Sequence, residues 1–357
     1  MRRVIQPVLA GLMCWGLVVS ALAAVDYKIV TASERGTYIK IGRDIAQYIA
    51  PTADINLEAL PSAGSAENVR LLRYEPGVKL ALVQSDVYQS YLDIAARGNT
   101  AARALINPLR VIMPLYNEEI YFIVRADSER NFIHEIRGAR INAGETGSGT
   151  ALTSATLYRL MFNETMSEAN ASYLSNEDAL ARLVTDKSVD VVAVVAGQPA
   201  RLLADMKPES RKHVKLLKFD STHASSKAVL ATYFPATVRA ASYPNLLAND
   251  VPGLAVKAFL VTYDFQLRDT ELHLRNLARS LCRNFAVLQE KGHPKWRDVD
   301  LSLPDLGNGW FYYRPTTREL RACVSEEARA PRAPARRVAP VPVAACTQQE
   351  RILGLCR

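Results

Sequence analysis

Two α/β lobes joined by a hinge, each built on a mainly parallel sheet with helices on both faces, are what this chain predicts. Three observations carry the prediction. From Asp26 onward, short apolar runs alternate with amphipathic helical patterns. Polar, often glycine-bearing turns follow successive predicted strands, at the ends where ligands gather in parallel sheets. Setting aside an apolar N-terminal segment and a Pro-rich tail, roughly 300 residues remain, enough for two lobes.

The N-terminal segment reads as an export signal. Arg2 and Arg3 precede an apolar run from about Val8 to Leu22, and Ala21-Leu22-Ala23 is a small-x-small cleavage pattern. A signal peptide over 1–23, cut near Ala23, is expected, with the mature protein in the periplasm. The run is short for a membrane span, and Met13 ahead of Cys14 does not suit lipid attachment.

The elements follow in order. Tyr27–Ala32 reads as a strand, Thr37–Ile49 as an amphipathic helix, Ile55–Leu60 as a strand and Ala66–Arg73 as a short helix. Val78–Val83 is a buried strand and Val87–Ala96 a helix. Leu109–Leu115 and Ile120–Val124 are two strand runs separated by Asn117-Glu118-Glu119, a natural crossing between lobes. A second set comprises a strand near Arg140–Ala143, helices over Ala151–Phe162 and Glu177–Thr185, and a strand over Val189–Val195. A turn at Ala196-Gly197-Gln198-Pro199, a helix to about Met206, and strands near Val214–Leu217 and Val229–Phe234 come next. Ala255–Tyr263 returns to the first lobe. The helix Thr270–Gln289 should bury Leu272, Leu277, Leu281 and Phe285, and Trp310, Phe311, Tyr312 and Tyr313 read as a docking patch for the core. The expected division is lobe 1 over 24–116, lobe 2 over 117–234, a return to lobe 1 with C-terminal helices over 235–326, and a Pro/Ala/Arg-rich linker with a cysteine-bearing tail over 327–357.

Composition narrows the classes. Hydrophobic residues at 49% and charged residues at 22% suit a globular chain. The net charge of +8 draws partly on the signal and tail, and no Lys/Arg run in the body is interleaved with aromatics, so nucleic acid is not an expected partner. Four cysteines follow the signal: Cys282, Cys323, Cys346 and Cys356. Four allow three connectivities, and Cys282 with Cys323 and Cys346 with Cys356 are favoured over free thiols. No metal spacing involves them or the five histidines. No HExxH or G-x-S-x-G pattern occurs, so no enzyme and no cofactor are expected.

The turn that carries most chemistry is Gly144-Glu145-Thr146-Gly147-Ser148-Gly149-Thr150, between a strand and a helix. Backbone N–H groups at a helix start, with the positive end of its dipole, suit an anion. A phosphate-binding loop of this kind needs a lysine where Gly149 stands, so a small carboxylate fits better than a triphosphate. Ser33-Glu34-Arg35-Gly36-Thr37-Tyr38, Ser62-Ala63-Gly64-Ser65 and Gln84-Ser85-Asp86 open helices in the same way. Each alone is most often an N-cap; their repeated placement points to one shared site.

Taken in order, Gly36-Thr37-Tyr38, Ser62-Ala63-Gly64-Ser65-x-Glu67-Asn68, Ala81-Leu82-Val83-Gln84-Ser85-Asp86, Gly147-Ser148-Gly149-Thr150, Ala196-Gly197-x-Pro199 and Tyr243-Pro244 resemble the TAXI group of TRAP-transporter solute receptors, over about Asp26 to Arg314. The resemblance implies a periplasmic binding protein-like fold of type II, monomeric. It would capture a small organic anion, a dicarboxylate or an acidic amino acid such as glutamate or 2-oxoglutarate, and deliver it to a TRAP-type ion-coupled permease. It places Thr37, Tyr38, Ser65, Gln84 and Ser85 on the first-lobe wall and Gly147, Ser148, Gly149 and Thr150 on the second, flanked by Gly197 and Pro199, with Tyr243 among the ligand-binding positions. Ser33, Glu34 and Arg35 stand where the family is glycine-rich. Arg35 is either an added carboxylate clamp or a solvated rim charge. Thr237 replaces a usual glycine, and the Pro-rich tail is outside the common pattern. The alternative function is a periplasmic sensory or scaffold protein whose tail docks a partner.

Overall fold

In this computed structural model, residues 24–306 and 309–329 are described. The expected signal segment and the cysteine tail, with Cys346 and Cys356, lie outside them. The first lobe starts with β1 (Val25–Val30) and α1 (Thr37–Asp44), which runs on through a π-helical turn at Ile45–Ile49. Next come β2 (Ile55–Leu60), α2 (Ser65–Tyr74), β3 (Val78–Gln84), α3 (Asp86–Ala96) and α4 (Thr100–Ile106). Strand β4 (Leu109–Arg125) leads into the second lobe: β5 (Ile141–Asn142), α5 (Gly149–Phe162), β6 (Ala171–Ser172), α6 (Asn176–Val184), β7 (Val191–Ala196) and α7 (Arg201–Ala204). The chain continues through β8 (Val214–Leu216), α8 (Ala224–Val229), β9 (Phe234–Val238), β10 (Val251–Tyr263), α9 (Arg268–Lys291) and α10 (Arg314–Arg329).

The strands lie in the order β2-β1-β3-β10-β4-β7-β5-β6, with β8 on β4 and β9 on β10. The two ends of this sheet are parallel: β1 pairs β2 and β3, and β7 pairs β5, which pairs β6. Between them β10 and β4 run antiparallel, from Leu254 opposite Ile120 to Tyr263 opposite Leu109. One end of β10 pairs β3 and one end of β4 pairs β7, so these two strands are common to both halves. Side chains alternate across the pleat. On β7, Val191 and Ala193 enter one core of the second half, and Val192 and Val194 enter the other. On β1, Ile29 and Val30 divide the same way between the cores of the first half.

Several expectations change. The two strand runs around Asn117-Glu118-Glu119 are a single strand, because both carboxyls find partners inside the fold: Gln84 Nε2 donates to Glu118 at 3.2 Å, and the Gln198 N–H to Glu119 at 2.7 Å. The strand expected at Val229–Phe234 is instead the end of α8, a turn, and then β9. His223 caps α8 by accepting the Ser225 N–H, which favours a helix start there. Leu272 is half exposed, since α9 buries the stripe Thr270, Leu274, Leu277, Leu281 and Leu288 at helical spacing. Phe311 is exposed as well, while Trp310 and Tyr313 are buried. Val238, Tyr243, Leu246 and Leu247, within the stretch expected to have returned to lobe 1, pack in a core of the second half. A disulfide joins Cys282 on α9 to Cys323 on α10, with Cα atoms 6.0 Å apart.

Candidate functional site

A cleft of about 900 Å3 opens between the halves. Its walls are the starts of α1, α2, α5, α6 and α7, together with the carboxyl end of β7. The first N–H groups of any helix lack partners within it and carry the positive end of its dipole. Here the caps leave the foremost of those groups free, while the third N–H of α2, on Glu67, is taken by the Gly147 carbonyl. The N-cap residues of α1 and α2 are Gly36 and Gly64, and neither makes a side-chain cap. The N-cap of α5 is Ser148, whose hydroxyl accepts from the Ala151 N–H at 3.0 Å, leaving Gly149 and Thr150 ahead of it.

Two glycines hold these helix starts together. Gly64 has φ +130°, a region side chains rarely adopt, and a Cβ there would press on the backbone N of Gly149 at 3.1 Å. A Cβ on Gly149 would overlap the Gln84 side-chain oxygen and lie 2.9 Å from Ser65 Oγ. The glycine-rich turn therefore lets α5 of the second half abut α2 and β3 of the first.

The structure brings Arg35, Thr37, Tyr38, Ser65, Gln84, Ser148, Gly149 and Thr150 to the cleft wall. The other expected positions stand behind it. The Ser85 carbonyl accepts from the Trp310 indole N–H at 2.9 Å. The Gly147 carbonyl accepts from the Glu67 N–H at 3.1 Å across the two halves. Gly197 makes room for Lys295 and Tyr116, each 3.1 Å from where its Cβ would be, and a cis bond joins Gln198 to Pro199. The Tyr243 hydroxyl bonds Tyr121 at 2.7 Å and accepts from the Ala200 N–H at 2.8 Å. Tyr243 and Gly197 thus position the turn before α7: Tyr121 and the Ala200 N–H engage the Tyr243 hydroxyl, and Lys295 and Tyr116 fill the space over Gly197.

Among the wall groups some polar capacity is spent and some is free. Ser65 Oγ accepts the Gln84 N–H at 3.1 Å, and Thr150 Oγ1 accepts the Val195 N–H at 3.2 Å. Tyr38 is 4% exposed, and its buried hydroxyl has no hydrogen-bond partner. It neighbours Glu118, one of two buried carboxyls that the sequence reading treated only as part of a crossing or a turn. Burial lifts Glu118 to about 7, although the nearby Tyr38 hydroxyl and the amide donor of Gln84 favour its charged form. Burial likewise lifts Asp86 to about 6, although Thr153 Oγ1 donates to it at 2.6 Å and the Tyr233 hydroxyl at 2.9 Å. Asp86, Thr153 and Tyr233 form one buried hydrogen-bonded group. Glu119 is bound to Lys295 Nζ at 3.5 Å, and Lys295 is 3% exposed. Acidic residues interrupting an apolar strand were the available signal for Glu118 and Glu119. Lys295 lies 176 residues further on and had none.

Charges at the rim pair with each other. Arg35 Nη1 meets Glu177 Oε1 on α6 at 3.0 Å, spanning the cleft, and Glu34 meets Arg43 at 2.6 Å. Arg201 meets Asp205 at 2.9 Å. No cluster of three or more metal-binding side chains occurs among the described residues. Nor is any helix among them long and apolar enough to cross a membrane.

Residues 29–298, well over half the chain and nearly all of the cleft, match the NMT1-like family. The chain belongs to that family. Among solved structures, this NMT1-like chain is similar to the periplasmic binding protein BugD at 12% identity and a TM-score of 0.48, over 85% of this chain and 95% of that one. A Xanthomonas citri protein bound to ATP is similar at 14% identity and 0.44, over 85% and 98%. The alkanesulfonate-binding protein SsuA from Xanthomonas axonopodis pv. citri, bound to MOPS, is similar at 12% identity and 0.41, over 83% of each chain.

Proposed function

We propose that this NMT1-like protein is a periplasmic receptor that captures a small organic anion between its halves and passes it to a TRAP-type ion-coupled permease. The observation that carries the reading is the convergence of three helix starts, those of α1, α2 and α5, on one cleft, two of them capped by glycine. Such N–H groups cost little to leave facing water and gain most when an anion takes them. Tyr38 lines the same wall. Capture needs no bond made or broken. Closure would exclude water and strengthen each contact. The TAXI-like order of turns supports the permease partner, and the export-type segment supports the periplasm. Dicarboxylates and acidic amino acids are the ligands that resemblance suggests.

The test is a thermal-shift screen of the mature protein against small carboxylates, followed by calorimetry on Ser148→Ala/Thr150→Ala. A ligand of the folded state raises Tm. The double variant should weaken anion binding by about 1–3 kcal/mol. Its lost cap should cost about 1 kcal/mol of stability without unfolding the chain. Unchanged affinity in the double variant would remove the glycine turn from the site.

A further inference from the structure

The cleft wall is divided by chemistry. The helix starts of α1, α2 and α5 supply donors on one side, whereas the far side carries a strip of hydrocarbon, Leu180 on α6, Val194 on β7, Leu202 on α7, and Met206, next to the charged residues Glu177, Arg201 and Asp205. Leu180, Leu202 and Met206 are half-buried and continuous with the core around Val192, Leu183 and Leu203. The cleft is where that core opens to solvent.

The charges lining it do not offer a second anion a partner. Four carboxylates line the cleft, Glu34, Glu145, Glu177 and Asp205, against two cations, Arg35 and Arg201. Both cations are committed, to Glu177 and Asp205. No lysine or histidine lines it. A carboxylate beyond reach of the helix starts would lose water against Leu202 and Met206, or face Glu177 and Asp205, and either is unfavourable.

Resting on the anion-receptor reading, we infer that the cleft takes an amphipathic monoanion, one carboxylate on an unbranched or aryl hydrocarbon body, and discriminates against dicarboxylates and acidic amino acids. The head sits at the starts of α1, α2 and α5, and the body lies on the wall formed by Leu180, Leu202 and Met206. A cleft of about 900 Å3 admits such a body with water to spare.

The experiment is calorimetry of the full mature chain with butanoate, hexanoate and octanoate, their ω-carboxylated counterparts succinate, adipate and suberate, glutamate, and neutral hexanamide. Affinity should rise roughly four-fold per methylene along the monoacids, the value of burying each one. Adipate should bind at least ten-fold more weakly than hexanoate, and hexanamide should bind more weakly still. Met206→Lys, which supplies the missing cation, should reverse the hexanoate–adipate order. Leu202→Ser should weaken octanoate about ten-fold and butanoate little, so the test survives if the lysine variant misfolds. Succinate or glutamate binding tighter than hexanoate would overturn this inference and leave the anion receptor standing. Hexanamide matching hexanoate would overturn the anion reading itself, as would silence from every acid.

Discussion

Glu118 sits inside a strand, 3% exposed, with its carboxyl beside Tyr38 and Gln84 at the back of the cleft. Burial raises it to about 7, so the folded protein keeps a proton that the unfolded chain has released. The stability from that proton is complete below the unfolded value, near 4.5, and is lost as pH rises through about 7. Asp86, raised to about 6, acts with the same sign at lower pH. His293, lowered to about 4 chiefly by burial, acts oppositely, but only below its unfolded value of 6.5. Between pH 6.5 and 8 the Glu118 slope should therefore dominate. Tm should fall across that window in the wild type and fall less in Glu118→Gln; an identical slope in the variant would refute the assignment. The wall residues were legible because turn chemistry is local: Thr37, Ser65, Ser148 and Thr150 each follow a predicted strand. Tyr243 was expected among the ligand-binding positions and Gly197 beside the wall; what packs against them, Tyr121 and Lys295, lies far away in sequence and could not be read locally.

Helix α9 carries two ties to α10. Glu319 takes Arg275 at 2.8 Å and Arg279 at 2.7 Å, and the disulfide joins Cys282 to Cys323. Arg279, Arg275 and Cys282 lie on the flank that meets α10, beside the buried stripe of Leu274, Leu277 and Leu281. Replacing both bridged cysteines with alanine should lower stability by about 4 kcal/mol, the value for closing a loop of this order. Chemical denaturation reads that loss, and ligand affinity should stay unchanged because α9 and α10 supply nothing to the cleft wall. At this scale most strands and helices were readable from period alone, β2 and α5 among them. Those that were not had a long-range cause. Strand β4 looked broken because Glu118 and Glu119 are polar, and only Gln84, Gln198 and Lys295 make them tolerable inside. Helix α10 was expected only as one of the C-terminal helices, without bounds, because its sequence, Arg314–Arg329, is charged along much of its length and finds its buried face, with Leu320 and Cys323, only against α9.

Across the whole molecule the halves touch both inside the fold and at the rim of the cleft. On one side Asp86 meets Thr153 and Tyr233, and Arg159 meets Asp93 at 2.5 Å. At the mouth Arg35 meets Glu177, with side-chain exposures of 78% and 50%. An exposed pair contributes under about 1 kcal/mol, enough to bias closure without locking it. If the pair acts as a latch, Arg35→Ala and Glu177→Ala should each speed ligand release by less than about five-fold, and the double variant no further. If Arg35 instead grips the ligand, Glu177→Ala frees it and affinity rises; stopped-flow release kinetics separate the two. The placement of β10 between β3 and β4 has a consequence for synthesis. No length of nascent chain that ends short of Tyr263 contains the strand on which the two halves of the sheet are joined, so the polypeptide stays incomplete as a fold until nearly three quarters of it has been made.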